Sequence, residues 1–325
     1  MYLTNKIIRK FINKFAFKFW KVYVLEKEII DFLIKKPFFR ESEIKKFILF
    51  TLESPNNSYL IAADPFIHDK DTILYESISK KTGNGTIFKF DIVKNKNSLI
   101  CLPDNKHYSF PRTLKINENF FFTCESSDYK GLSIFKTDKE INFLKDVNKS
   151  ISSEDLYYHI IDPMIFFIES KIKLYCTSLE YGNCLLLCFE SRYCDCLDFK
   201  LIKKIKFSKP LEKNSTLRLA GLLSVNNNEY IATQNNQESY GSSLNLLNLK
   251  PNDLEKTNII NAFDILSRID CKEFVGPHTI NKSKESSLLV IDLATLSWTN
   301  IPIKFKIFFS KYLKKIIKYF HLKSL

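Results

Sequence analysis

One pattern returns five times along this 325-residue chain, and it constrains the fold more tightly than any single motif. The segments are AADPFIHDKDTILYES, SFPRTLKINENFFFTCES, IIDPMIFFIESKIKLYCTS, LRLAGLLSVNNNEYIATQ and VGPHTINKSKESSLLVID. Each opens on a polar or charged residue beside a small residue or proline, runs through a β-type stretch, turns at a polar cluster and resumes as a second strand. Anchored at Asp64, Phe110, Asp162, Arg218 and His278, the returns lie 46, 52, 56 and 60 residues apart. That is slightly longer than the ~40–50 residues of a four-stranded propeller blade, and it predicts an all-β, five-bladed β-propeller over residues 55–300. A two-sheet sandwich is the main competitor, but it gives no reason for five hairpins to open on equivalent polar positions. In a propeller the first strand of each blade lines the central channel, so those openings converge on one cavity.

Two of the openings are Asp-Pro pairs, Asp64-Pro65 and Asp162-Pro163. Asp is depleted in strands and Pro cannot donate to a ladder, so each pair weakens the strand it sits in. The bland reading of one such pair is a turn. Two at matching places predict two carboxylates on one channel.

Charge sorts the rest of the chain. Residues 1–21 carry six basic residues and no acid, and residues 293–325 carry seven and no acid, which accounts for the whole formal charge of +13. The stretch between them is neutral, which removes most of the support for nucleic-acid binding, since a reader of nucleic acid carries its basic patch on the folded domain. Both ends show apolar residues at helical spacing: Ile7, Ile8, Phe11, Ile12, Phe15 and Phe19 in the first, and Phe308, Phe309, Tyr312, Leu313, Ile316, Ile317 and Phe320 in the last. The expected division is therefore a basic amphipathic segment and lead-in over 1–54, the propeller, and a basic amphipathic helix over 301–325. No uncharged run reaches the ~18–20 residues that span a bilayer. Basic helices with Phe on the apolar side suit an anionic membrane surface, which places the chain at the inner face of a membrane in the cytoplasm. The alternative is that these apolar faces pack on the protein's own core.

The eight cysteines lack CxxC spacing and no His flanks the Cys184–Cys196 group, so scattered reduced thiols are expected rather than a metal site. There is no GxGxxG, Walker loop or HExxH, and no cofactor is expected. His68 and His159 are read as structural, and Glu76, on the second strand of its hairpin, as a surface partner for a Lys.

The repeats resemble the N-terminal domain of glucosamine inositolphosphorylceramide transferase, over residues 59–292. The resemblance is carried by Ala63-Asp64-Pro65-Phe66 with Tyr75-Glu76, by His107-Tyr108-Ser109-Phe110-Pro111 with Glu125-Ser126-Ser127, and by Asp162-Pro163. It continues through Arg218, Ala220-Gly221, Gln234 and Tyr240-Gly241 to His278-Thr279. That family is similar in turn to the five-bladed propellers of glycoside hydrolase family 43. There a first-blade Asp is the general base, a third-blade Asp tunes the acid and orients substrate, and a fourth-blade Glu is the acid. Asp64 and Asp162 match the first two places, but the fourth repeat opens on Leu217-Arg218-Leu219. An Arg cannot donate the proton, yet binds phosphate or carboxylate well.

The resemblance and that Arg together lead to the expectation of a glycosyltransferase in surface polysaccharide or glycolipid synthesis. Its substrate would be a sugar or glycan carried on a nucleotide or polyprenyl phosphate. Asp64, Asp162 and Glu125 are the expected catalytic groups. Arg218, His278, Gln234, Tyr240 and His107 are the expected substrate contacts. An inverting glycoside hydrolase with Glu125 as a displaced acid is the alternative, and a non-catalytic glycan-binding module is a third reading.

Overall fold

The structure is a computed structural model that describes residues 17–297, apart from 37, 104–105, 127–132, 147–159, 181–182, 193–196, 198, 208–217, 226–227, 237–239, 249, 255, 261–264, 272–275 and 284–285. His159 and most of the two basic ends lie outside the described residues. Strands β1 (Phe17–Glu26), β2 (Phe38–Phe39) and β3 (Ile48–Leu52) precede the first repeat. Blade one is β4 (Ala63–Asp69), β5 (Thr72–Ile78), β6 (Gly85–Asp91) and β7 (Lys96–Leu99), and blade two is β8 (Tyr108–Ile116), β9 (Asn119–Ser126), β10 (Ser133–Thr137) and β11 (Phe143–Asp146). Blade three is β12 (Ile160–Ile168), β13 (Lys171–Glu180), β14 (Asn183–Arg192) and β15 (Lys200–Phe207), with β19 (Ile259–Ile260) added at its edge. Blade four is β16 (Leu219–Val225), β17 (Asn228–Asn235), β18 (Ser243–Leu247) and β20 (Ile265–Cys271), with β2 at its edge. Blade five is β21 (Gly276–Asn281) and β22 (Leu288–Ser297), completed by β1 and β3. This is the five-bladed propeller that the five returns predict.

The ring is closed by its N-terminal strand. β1 pairs antiparallel with β22 from Phe17 opposite Ser297 to Glu26 opposite Leu288. Residues 17–21, read from periodicity as the end of a basic helix, are therefore strand, and the propeller takes in residues before 55. The run FKFWKVYVLE alternates as well as it spirals, and in it Trp20, Val22 and Val24 are buried on one face while Tyr23 and Leu25 are buried on the other. A short helix, Ile29–Lys35, lays Ile29, Ile30 and Leu33 on the same core.

Blades pack face to face, so central strands are apolar on both faces. In β5, Ile73 and Tyr75 join the core shared with blade five while Leu74, between them, joins the core shared with blade two. In β13, Ile172, Leu174 and Cys176 face blade two and Tyr175 faces blade four. Each such side chain, once fully buried, contributes ~1.5–3 kcal/mol.

Every inner strand carries a bulge at its opening. The register of β4 on β5 jumps between Ala63 and Phe66, of β8 on β9 between Ser109 and Arg112, of β12 on β13 between Ile161 and Met164, of β16 on β17 between Leu219 and Gly221, and of β21 on β22 between Pro277 and Ile280. At the first three bulges Asp64, Phe110 and Asp162 take φ of 52°, 53° and 51°. Left-handed backbone costs a non-glycine residue ~1–2 kcal/mol, so it persists only where the surroundings hold it. Bonds between blades hold it here: Asp64 N–H donates to Asp292 Oδ2 (2.9 Å), Phe110 N–H to Asp64 Oδ2 (3.2 Å) and Asp162 N–H to Glu125 Oε2 (3.2 Å). At the fourth bulge Leu219 N–H bonds across blades in the same way, to Thr177 Oγ1 (3.0 Å). The register also corrects one anchor. The position in blade four equivalent to Asp64 and Asp162 is Ala220, and Arg218 stands two residues before it.

Candidate functional site

The five bulges bring Asp64, Asp162 and His278 to one end of the channel, and the second strands bring Glu76, Glu125, Gln234 and Asp292 beside them. Two ion clusters result. In the first, Arg218 donates from Nε to Asp162 Oδ2 (2.8 Å) and from Nη2 to Asp162 Oδ1 (2.7 Å), while Glu125 Oε2 lies 3.7 Å from Nη2. Asp162 is only 1% exposed, so the ion pair is buried. The Arg218 guanidinium also lies over the Tyr240 ring, 5.2 Å from its centroid.

The second cluster centres on His278. Its Nδ1 is 3.1 Å from Asp64 Oδ1 and 3.4 Å from Asp292 Oδ2, and its Nε2 is 2.9 Å from the Gln234 amide nitrogen. Burial opposes a charge on this ring, but Tyr240, Asp64 and Asp292 more than offset it and raise its pKa well above the usual value. An imidazolium donates from both nitrogens, a pattern that is satisfied once the Gln234 amide turns its oxygen inward. Asp292 is filled by donors: His278 N–H and Thr279 N–H reach Oδ1 (3.2 and 2.6 Å), and Asp64 N–H reaches Oδ2. Asp64, His278 and Asp292 also have the spacing of a metal cluster.

The two clusters push neighbouring carboxyls apart. Burial would raise the Asp64 pKa, but the charge and hydrogen bond of His278, with help from Arg112 and Arg218, hold it below the usual carboxylate value. Burial raises Glu125, the Asp162 charge adds to the rise, and Arg218 offsets part of it, leaving Glu125 at about 7. Burial and the charge of Asp64 raise Glu76 well above the normal range, and a hydrogen bond to Asp64 keeps its proton in place. Glu76 is thus a buried neutral acid, where the sequence predicts a surface ion pair with Lys; the cause is its position opposite Ala63 at the bulge.

Of the expected substrate contacts, Tyr240 is 44% exposed and stands at the mouth, its ring 4.7 Å from that of His278. Gln234 is fully buried and supports His278 instead of facing solvent. His107 accepts Gly85 N–H at Nδ1 (2.7 Å) and points Nε2 at Glu76 Oε1 (3.6 Å), so it supports Glu76. His68 lies farther along the channel, bonded through Nδ1 to Thr113 Oγ1 (2.8 Å). Three site residues escape the sequence reading. Trp20 packs its ring 5.0 Å from His278, Asp292 holds three backbone amides, and Arg112 is buried in the channel. Asp292 stands in the fifth returning segment, where the position of Glu125 in the second is the only hint of it.

No family model matches the chain, and no curated protein matches it. Among solved structures the chain is similar to the catalytic domain of the Coprinopsis cinerea GH62 α-L-arabinofuranosidase, with a TM-score of 0.50 at 8% identity over 76% of this chain and 95% of that one. It is also similar to Zg3597, a family 117 glycoside hydrolase produced by Zobellia galactanivorans (TM-score 0.45, 9% identity, 76% of this chain and 90% of that one). A third is the endo-1,4-β-xylanase of Bacteroides thetaiotaomicron (TM-score 0.43, 15% identity, 60% of this chain and 70% of that one). At such identity the likeness is one of fold.

The expected glycosyltransferase gives way at this point. The GH62 α-L-arabinofuranosidase domain, whose fold this chain resembles over 76% of its length, is a glycoside hydrolase and not a transferase. Arg218, the residue that carried the transferase reading, holds its guanidinium on Asp162 instead of presenting it to a phosphate.

Proposed function

We propose that this propeller binds a glycan at the Tyr240 end of the channel and hydrolyses it as a glycoside hydrolase. The observation that carries the reading is the split between two neighbouring carboxyls: Glu125 holds its proton to about pH 7 while Asp64 is ionised well below that. Such a pair supplies the acid and the base of glycoside hydrolysis. Glu125 would give its proton to the leaving oxygen as the glycosidic C–O bond breaks. Asp64 would take a proton from the attacking water. Asp162, held in place by Arg218, would raise the affinity of Glu125 for its proton, the role that the resemblance to family 43 implies for a third-blade Asp. The proton donor then sits on the second strand of blade two, not at the opening of blade four.

The test is turnover of aryl glycosides and polysaccharides by the full chain and by Glu125→Gln. Gln keeps the shape of the protonated side chain, so folding and oligosaccharide binding are expected to persist while turnover falls ~10²–10⁴-fold. Wild-type turnover in that variant removes Glu125 as the acid.

One observation favours a second reading, a glycan-binding propeller without turnover. Asp64 is 4% exposed, with Oδ1 facing His278 and Oδ2 accepting Phe110 N–H, which leaves little room for a water. Saturable oligosaccharide binding with no turnover across the panel selects it. Attachment to an anionic membrane through the basic ends is a separate proposal, resting on sequence outside the described residues.

A further inference from the structure

Beyond the bulges the five inner strands run on to the other end of the channel. There they enclose a cavity of about 480 Å³, walled by residues that follow the bulge positions by two to five residues, among them Phe66, Arg112, Phe166 and Asn281. Arg112 stands between the two ends. It is 3% exposed and stacked on Phe110, with Cζ 3.7 Å from that ring centroid and 5.2 Å from the Phe66 ring. Its Nη1 donates to Pro111 O (2.7 Å). Nε and Nη2 are buried and have no hydrogen-bond partner among the described residues.

These two N–H groups form the side-on fork of a guanidinium, the edge that donates to two oxygens of one anion. Arg218 uses the same edge on Asp162. A buried donor left unmade costs ~1–3 kcal/mol, more on a charged group, so an unpartnered fork on a residue that lines a cavity calls for an acceptor. The cavity wall adds Lys115, Lys139 and Lys282 against Asp69 and Glu229, a balance that favours an anion. Asp64, Asp162 and Asp292 act on Arg112 through space, but each is already engaged by His278, Arg218 or backbone amides.

We propose that the far end of the channel is an anion site in which the Arg112 fork takes both oxygens of a carboxylate or phosphate group, with Lys115 and Lys282 at its entrance. The site is separate from the glycan site and stands whether or not the chain hydrolyses glycans.

Thermal unfolding of the full chain is followed while acetate or inorganic phosphate replaces chloride at fixed ionic strength. A saturable rise in Tm is expected with at least one of them; the better probe identifies the group as carboxylate or phosphate. Arg112→Lys keeps the charge but loses the fork, and is expected to weaken the apparent affinity at least tenfold. Lys115→Gln and Lys282→Gln, at the entrance and outside the packed core, are each expected to weaken it severalfold, which keeps the test decisive if Arg112→Lys does not fold. Glu125→Gln is expected to leave anion binding unchanged. No saturable rise with either anion, or an unchanged rise in Arg112→Lys or in both entrance variants, overturns the proposal.

Discussion

Arg218 grips Asp162 across the boundary between blades three and four, with Nε on one carboxylate oxygen and Nη2 on the other. The same guanidinium reaches Glu125 on blade two and lies over Tyr240, so one side chain ties together groups from three blades. Removing it leaves Asp162 as an unpaired charge in the channel wall. Arg218→Met is therefore expected to lower stability by ~3–5 kcal/mol, read by urea denaturation. The double variant Arg218→Met with Asp162→Asn should recover much of the loss, because the uncompensated charge goes with it. Equal stability of the single and double variants would show that the pair is not what the fold depends on.

The pH profile should carry the signature of the two carboxyls. Asp64 ionises below the usual carboxylate range and Glu125 releases its proton near 7, so turnover is expected to rise at acid pH, hold, and fall as pH passes about 7. Arg218 draws the Glu125 value down, so Arg218→Met should move the falling limb to higher pH in whatever activity remains. A falling limb that stays in place excludes Glu125 as the group that sets it.

Stability should follow pH for the same reasons. The folded pKa of Glu125 lies above its unfolded value. Between roughly pH 4.5 and 7 the native chain therefore holds a proton that the unfolded chain has released, and stability falls by about 1.4 kcal/mol for each unit of that difference. The folded pKa of His278 is also raised, so its contribution is complete below about pH 6.5 and is lost as pH climbs toward the higher folded value. Glu125→Gln should flatten the acid-to-neutral decline, and His278→Gln the decline above neutrality, in denaturation curves taken across pH 4–10.

Much of this was legible in the chain, and the failures have physical causes. Asp64, Phe110 and Asp162 were found from pattern alone, and they share a bulge and a φ within two degrees because each opens the same element. The fourth opening was misplaced by two residues. Gly221 there takes a φ of +138° and shortens the bulge, so the polar residue that draws the eye, Arg218, lies outside it. Trp20 was hidden because ring closure brings residue 20 against residue 278, a contact that no local periodicity encodes. Glu76 was misread because its neighbours are apolar and a charge at a strand end looks like a surface residue; only the convergence of blades buries it.

Gly221 offers a test of that fourth bulge. A Cβ there would stand 1.9 Å from Ile280 O and 2.9 Å from Asn281 Oδ1, and the φ is one that side chains rarely adopt. The obstacle is backbone of the neighbouring blade, which cannot rotate aside. Gly221→Ala should therefore cost at least ~1–3 kcal/mol and lower Tm by several degrees. A variant as stable as wild type would mean that blades four and five do not approach this closely.

The N-terminal strand separates two roles that the sequence runs together. Residues 1–16 hold four of the basic residues and lie before β1, whereas Phe17–Glu26 zips the ring shut along β22. Deleting 1–16 should leave a folded protein whose Tm moves by no more than a few degrees. Deleting 1–26 should strip β22 of its partner on the side away from β21, expose the buried Val290, Ile291 and Leu293 region and give aggregation on expression. If the basic end attaches the chain to membranes, each Lys or Arg contributes about 1 kcal/mol at an anionic surface, so the shorter deletion should weaken flotation with phosphatidylserine vesicles on the order of 10²–10³-fold. Flotation that survives the loss of both 1–16 and 301–325 would leave no part of the basic ends to explain it.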